Sequence, residues 1–404
     1  MSEQSSKRIS TVEAGLDDHL TAFIATLTKS GYAEKTRRDK KRLIYPFLRW
    51  VREADIDVQD VNESCVDAFL ACPTRRRYNH RTALRQFVEH LRIVEVVPHR
   101  HLVPTPAEVL FQRYVSYLRD RQGLSPHSVA AYSPFIRAFV AARRLPEDAA
   151  VIDASAIRSH LVDHSQNRSG SFVKLLAAAL RSFLRFCFVD GVTVTDLSIA
   201  VTPVHRWRLA AVPPFLAPEE VEQVIAAADR STERGCRSFA ILLLLARLGL
   251  RASEVIALEL DDIRWEAGEI VVRGKGGLHD RLPLVADVGE ALALYLSTAR
   301  GPSKSRRVFL RRIAPRVGLS QPADVSKIAR EALQRAELAP SGRVGAHIFR
   351  HSLATRMIRR GASLTEISQV LRHRSIGTTE LYAKVDFEGI RAVALPWPKA
   401  EVMR

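Results

Sequence analysis

The chain has 404 residues, enough for two or three domains at roughly 150 residues each and for cores that need no metal or disulfide support. Lysine and arginine number 61 against 44 aspartates and glutamates, and the resulting net charge of +17 points to a polyanionic partner. Cys65, Cys72, Cys187 and Cys236 form no CxxC pair, the first ten residues hold no apolar run, and the longest apolar stretch, residues 239–246, is far short of the roughly 18 residues of a membrane span. A disulfide-knit secreted protein and a membrane-spanning one are excluded, and a cytoplasmic location is expected.

Residues 1–14 are polar and read as a disordered tail. Leu16, Leu20, Phe23, Ile24 and Leu27 then recur at helical spacing. A second helix, expected to break or bend near Pro46, carries Leu43, Phe47 and Trp50. A third is expected over residues 61–70, and a fourth holds Leu84, Phe87, Val88 and Leu91. Pro98, Pro104 and Pro106 mark a linker. The same order then returns. Residues 23–36 align with 114–128 after one insertion, Gly31 matches Gly123, Phe47 matches Phe139, and ALRQFVEHLR (83–92) matches ALRSFLRFCF (179–188). This reads as a duplicated four-helix unit, 15–98 and 107–200.

Residues 201–214 form a basic, proline-containing linker. Beyond it, a helix opens with Pro218 and acids in its first turn. A buried helix is expected over 236–258. Alternating residues within 261–284, with turn signals at Ala267-Gly268 and 274–277, predict three short antiparallel strands. Helices follow from 287 onward. Residues 300–316 carry seven cations and no acid.

Four segments of the third region carry chemistry. In LARLGLRASEVIALEL, Arg251 stands near the end of an apolar helix with Glu254 three residues on, and an arginine in such surroundings must be paired or meet a ligand. VVRGKGG places Lys275 at a hairpin tip. AHIFRHSLATRMI holds His347, Arg350 and His351; the histidines have the spacing of a zinc pair but lack the glutamate of a zincin. VLRHRSIGTTELYAKV holds His373 and, nine residues later, Tyr382.

Together, in this order, GLRxSE, GKGG, HxxRH, LxH and the following tyrosine resemble the tyrosine recombinase (phage integrase) family, strongly over about 215–385 and more weakly over 107–200. The resemblance implies a mainly α fold with a small antiparallel β-sheet. A helical DNA-binding module, 107–200, would precede an α+β catalytic domain, 215–404, that ends in an exchange segment around Phe387, Ile390, Val393 and Trp397 docking on a neighbouring subunit; the duplication and its cations, not the resemblance, make 15–98 a second helical DNA-binding module, with a protein–protein module as the alternative. The resemblance implies a site-specific enzyme that cleaves and rejoins DNA through a 3′-phosphotyrosine, for integration, excision or transposition, as a dimer on its site and a tetramer in synapsis. The family's arginines fall on Arg251 and Arg350, its hairpin lysine on Lys275, its histidine positions on His347 and His373, and its nucleophile on Tyr382. One departure stands out: the family often has LGH where this chain has Leu371-Arg372-His373.

The chemistry agrees. A tyrosine oxygen attacking phosphorus conserves phosphodiester energy in a covalent intermediate, so no ATP is needed. Two guanidiniums suit the charge on the non-bridging oxygens, Lys275 can protonate the leaving 5′-oxygen, and Glu254 orients Arg251. These groups supply the charge a metal would supply, so neither metal nor other cofactor is expected. Expected phosphate contacts are Arg37, Arg38, Lys41, Arg76 and Arg81 in the first module, Arg181 in the second, Arg206 in the linker, and Arg306 and Arg312 in the basic block. A DNA-relaxing topoisomerase would use the same cleavage step, and residues 363–385 alone would also suit a helix–turn–helix regulator.

Overall fold

The computed structural model describes residues 15–71, 78–98, 104–146, 152–203, 213–274, 279–340, 344–373, 379–380 and 382. The chain divides into two compact units, Met1–His99 with Leu209–Arg404, and Arg100–Arg208.

In the first unit, α1 (Leu16–Lys29), α2 (Glu34–Glu53), α3 (Glu63–Leu70) and α4 (Tyr78–Ile93) enclose a core that includes Leu20, Phe23, Phe47, Leu84 and Phe87. The break expected at Pro46 does not occur, and α2 runs through it. In the second unit, α5 (Pro106–Ser116), α6 (Pro126–Ala142), α7 (Ala154–Ser165) and α8 (Gly170–Val189) enclose Tyr114, Phe139, Leu180 and Phe183.

The aligned positions of the two helical sets do the same work. Gly31 and Gly123 both take left-handed backbone, at φ 81° and 59°, in the turn after their first helix. Phe47 and Phe139 are both fully buried. The edge-on ring pair Phe23–Phe87, at 5.7 Å and 75°, has its counterpart in Tyr114–Phe183, at 5.1 Å and 86°.

The rest of the first unit holds α9 (Pro218–Ala226), α10 (Glu233–Arg247), α11 (Ala252–Ala257), β1 (Ile263–Arg264), β2 (Glu269–Arg273), β3 (His279–Pro283), α12 (Ala286–Leu294), α13 (Pro322–Arg335), α14 (His347–Arg359) and α15 (Leu364–Val370). The sheet is antiparallel in the order β1-β2-β3, with Ile270 opposite both Ile263 and Leu282. Residues 240–245 of α10 are all buried, so this stretch of the helix is apolar all round and is enclosed by its neighbours. Among the described residues, no helix is long and apolar enough to cross a membrane.

The helix expected over 236–258 is two helices. Gly249 lies between them at φ 57°, and a Cβ there would stand 2.9 Å from the side chains of both Leu353 and Leu371. Glycine takes that backbone without strain, and any side chain there would crowd both leucines. The reversal swings Arg251 out of the α10 axis to the start of α11.

Candidate active site

Arg251 precedes α11, and the carboxylate of Glu254, in the first turn, accepts from both ends of it. Glu254 Oε2 takes the Arg251 backbone N–H at 2.8 Å, and Oε1 takes the Arg251 guanidinium at 2.6 Å. Glu254 is 5% exposed. Burial pushes its pKa up, but the charge of Arg372 and the bonds from Arg251 outweigh it and hold the carboxyl below the ordinary range.

Helix α14 opens on His347, and the spacing of His347, Arg350 and His351 sets all three on one face. Arg350 is 3% exposed. Its guanidinium donates to the Gly249 carbonyl at 2.5 Å and to the Leu371 carbonyl. Burial, then the charges of Arg251 and Arg372, lower its pKa from the ordinary arginine value.

Helix α15 starts at a capping box in which Ser363 and Glu366 exchange hydrogen bonds. It ends in a Schellman turn: the His373 N–H reaches the Ser368 carbonyl at 2.9 Å, and the Arg372 N–H reaches that of Gln369 at 3.0 Å. Arg372 occupies the left-handed position of that turn at φ 54°. Glycine is the usual occupant, and a side chain there costs about 1–2 kcal/mol. The turn aims its carbonyls into the site: Leu371 receives Arg350, and Arg372 receives the Arg251 guanidinium at 3.1 Å.

The Tyr382 ring packs with Leu353, Ala354, Ile358, Ile367 and Leu371, between α14 and α15. Its hydroxyl lies 2.8 Å from His351 Nδ1. His373 stacks parallel to the Tyr382 ring at 6.3 Å between centroids, with its Nδ1 2.7 Å from Thr379 Oγ1. Burial raises the Tyr382 pKa, while the charges of Arg350 and Arg251 work against it. Burial first, then neighbouring positive charge, brings His351 and His373 each down to about 4, so both imidazoles are neutral at pH 7.

Of the six residues singled out for catalysis, His347 and Arg350 lie on α14, Arg251 caps the start of α11, His373 follows the end of α15, and Tyr382 packs against α14 and α15. Lys275 falls outside the described residues, as do Arg76, Arg206 and the segment from Phe387 to Trp397. His351 and Arg372 join the site although the motif reading gave them no part in it. Their signal was adjacency to Arg350 and His373.

The expected phosphate contacts are scattered. Arg38, Lys41, Arg81, Arg181, Arg306 and Arg312 are exposed. Arg37 donates to Thr28 Oγ1, Arg81 pairs with Asp67 at 2.9 Å, Arg181 donates to the Val201 carbonyl, and Arg306 pairs with Asp261. Arg312 lines a recess of about 360 Å³ with Arg234, Arg237, Arg311 and Lys327, opposite Asp324 and Glu331.

Residues 214–388 match the phage integrase family, and residues 111–189 match the phage integrase N-terminal SAM-like domain. The chain is 39% identical over 389 residues, 94% of each sequence, to the integrase/recombinase y4rA of Sinorhizobium fredii (strain NBRC 101917 / NGR234). The chain belongs to the phage integrase family. It is a tyrosine recombinase, a DNA strand-transferring enzyme of site-specific recombination. It is also similar to the tyrosine recombinase XerC of Pelobacter propionicus, at 31% identity over 286 residues, 69% of this chain and 91% of that one. In fold, this recombinase resembles a lambda integrase tetramer bound to a Holliday junction. That likeness has a TM-score of 0.53 at 19% identity and covers 81% of this chain and 91% of the other.

Proposed function

We propose that Tyr382 is the nucleophile of this recombinase and that Arg251 and Arg350 bind the scissile phosphate. The observation that carries the reading is the convergence of both guanidiniums on the turn at 371–372, in the same small cluster that holds the Tyr382 ring. The Tyr382 oxygen attacks phosphorus, the bond to the 5′-oxygen breaks, and a 3′-phosphotyrosine and a free 5′-hydroxyl result. The guanidiniums take the charge that builds on the non-bridging oxygens. Lys275, between β2 and β3, gives the leaving oxygen its proton. His347 and His373 add hydrogen bonds to the phosphate, and Glu254 orients Arg251. Neutral His351 accepts the hydrogen bond of the phenol and aims it. Attack by a new 5′-hydroxyl reverses the step and rejoins the strand.

The partner is a double-stranded recombination site. Modules 15–98 and 107–200 grip it through cations such as Arg37, Arg38, Lys41, Arg81 and Arg181, while domain 215–404 cuts, with Arg306 and Arg312 on phosphates. The enzyme works in the cytoplasm as a dimer on the site and a tetramer in synapsis, an arrangement supported by the likeness in fold to the lambda integrase tetramer. The test is incubation with a nicked half-site. Wild type should form an SDS-resistant adduct, and Tyr382→Phe should shift the DNA without forming one. An adduct with the phenylalanine variant would overturn the assignment.

A further inference from the structure

The residue that departs from the family pattern is the one most tied into the site. The Arg372 side chain is 7% exposed, and its guanidinium meets Glu254 Oε2 at 3.0 Å. The same guanidinium donates to the Val370 carbonyl at 3.0 Å and to the Leu248 carbonyl at 3.4 Å, so it joins the C-terminal end of α10 to that of α15. Its own carbonyl holds Arg251, and the carbonyl before it holds Arg350. A glycine could make the same turn and present the same carbonyls, because those belong to the backbone. What the arginine adds is a buried positive charge on the one carboxylate that Arg251 uses.

We propose that Arg372 is a positioning residue of the strand-transfer reaction: its guanidinium, paired with Glu254 between α10 and α15, fixes Arg251 and keeps the site cationic. Resting on the reading of Arg251 and Arg350 as phosphate ligands, the inference follows from charge. Glu254 must orient Arg251, yet its negative charge opposes that of a phosphate held by Arg251. Arg251, Arg350 and Glu254 together carry +1; with Arg372 the cluster carries +2. The attack carries a diester with a single negative charge toward a phosphorane with more, so the added charge favours the transition state over the bound ground state. Arg372 reaches the phosphate through Glu254 and Arg251 and does not touch it.

The experiment compares wild type, Arg372→Gly, Arg372→Gln and Arg372→Lys, with Arg251→Ala as reference. Each is measured for affinity to a nicked half-site and for single-turnover adduct formation. Two substrates are used: the ordinary phosphodiester, and a methylphosphonate that lacks the anionic charge at the scissile position. Glycine fits the left-handed turn, so Arg372→Gly keeps the fold. Arg372→Gly and Arg372→Gln should form adduct at least about tenfold more slowly on the phosphodiester, with affinity held within about twofold. Arg372→Lys should recover part of the loss. On the methylphosphonate the defect should shrink, because there is less charge to stabilise. Two results would overturn the role: Arg372→Gly and Arg372→Gln both at the wild-type rate, or an equal loss on both substrates that tracks a lowered melting temperature. If Arg251→Ala itself still forms adduct, the fault lies in the reading of the site. If Arg251→Ala is dead while the Arg372 variants are fully active, only the present inference fails.

Discussion

Glu254→Gln exchanges one oxygen for an amide of nearly the same shape, so its effect isolates the charge and the acceptors. In the wild type both carboxylate oxygens face donors: Oε1 the Arg251 guanidinium, Oε2 the Arg251 backbone N–H and the Arg372 guanidinium. A glutamine can present one oxygen only. Either way round, its NH2 group opposes an N–H donor at under 3.1 Å, and Arg372 is left as a buried cation without its partner carboxylate. Removing one member of a buried ion pair costs about 3–5 kcal/mol. Arg251 is one-third exposed, which favours the lower end. At about 2 °C per kcal/mol for a region of this size, the melting temperature should fall by about 6 °C or more. The double variant Glu254→Gln with Arg372→Gln removes both charges and should regain about half of the loss. Thermal unfolding followed by circular dichroism checks both. A Glu254→Gln transition within about 2 °C of wild type would refute the pairing as a source of stability.

Phe183 is fully buried against Tyr114, Phe139 and Phe186, so Phe183→Ala should destabilise the second unit by about 3–5 kcal/mol in urea unfolding. Burial, followed by neighbouring charges, also lowers His160 to about 4, as it does His351 and His373. Between the ordinary histidine value of about 6.5 and that lowered value, the unfolded chain takes up protons that the folded chain refuses. Stability should therefore be highest above pH 6.5 and fall as the pH drops toward 4; a urea midpoint that stays flat over this window would contradict the assignment. Deleting residues 1–104 should flatten the slope of log affinity against log salt by several units, about 0.9 for each phosphate that the shortened protein leaves un-neutralised, and shorten the protected footprint. An unchanged slope with only assembly impaired would mean that the first module binds protein.

Periodicity was enough for the helices of both modules, because those helices bury one face each and repeat the burial at a fixed spacing; in the sheet the turn signals mattered more, since β2 buries Ile270, Val271 and Val272 in a row. Periodicity failed at Gly249, where apolar residues continue on both sides of the break: the pattern of buried positions runs on although the backbone reverses. At Pro46 the helix is continuous, so of the two outcomes expected there the break did not occur. Motif spacing singled out Arg251, His347, Arg350, His373 and Tyr382, but it gave no role to His351 or to Arg372, whose contacts are long-range in sequence. The His351–Tyr382 contact joins residues 31 positions apart, and the Arg372–Glu254 pair spans 118, distances over which no local spacing speaks. Net charge also overstated what is free to meet DNA. In the block 300–316, Arg300 donates to the carbonyls of Ser305, Arg307 and Val308, Arg306 pairs with Asp261, and Arg307 reaches the Ala257 carbonyl.

The carbonyls at the ends of α10 and α15 have a consequence for the entropy of binding. A helix leaves its last carbonyls without partners, and here those of Gly249, Leu371 and Arg372 find theirs in Arg350 and Arg251. A free arginine loses about 0.5–1.5 kcal/mol of rotamer freedom when a ligand immobilises it. In this protein that loss belongs to folding, for both guanidiniums are already fixed before any DNA arrives. Each has five N–H donors, of which two are engaged at the site. If these arginines hold the scissile phosphate as proposed, the helix termini have already ordered them, and binding has that much less side-chain freedom to remove.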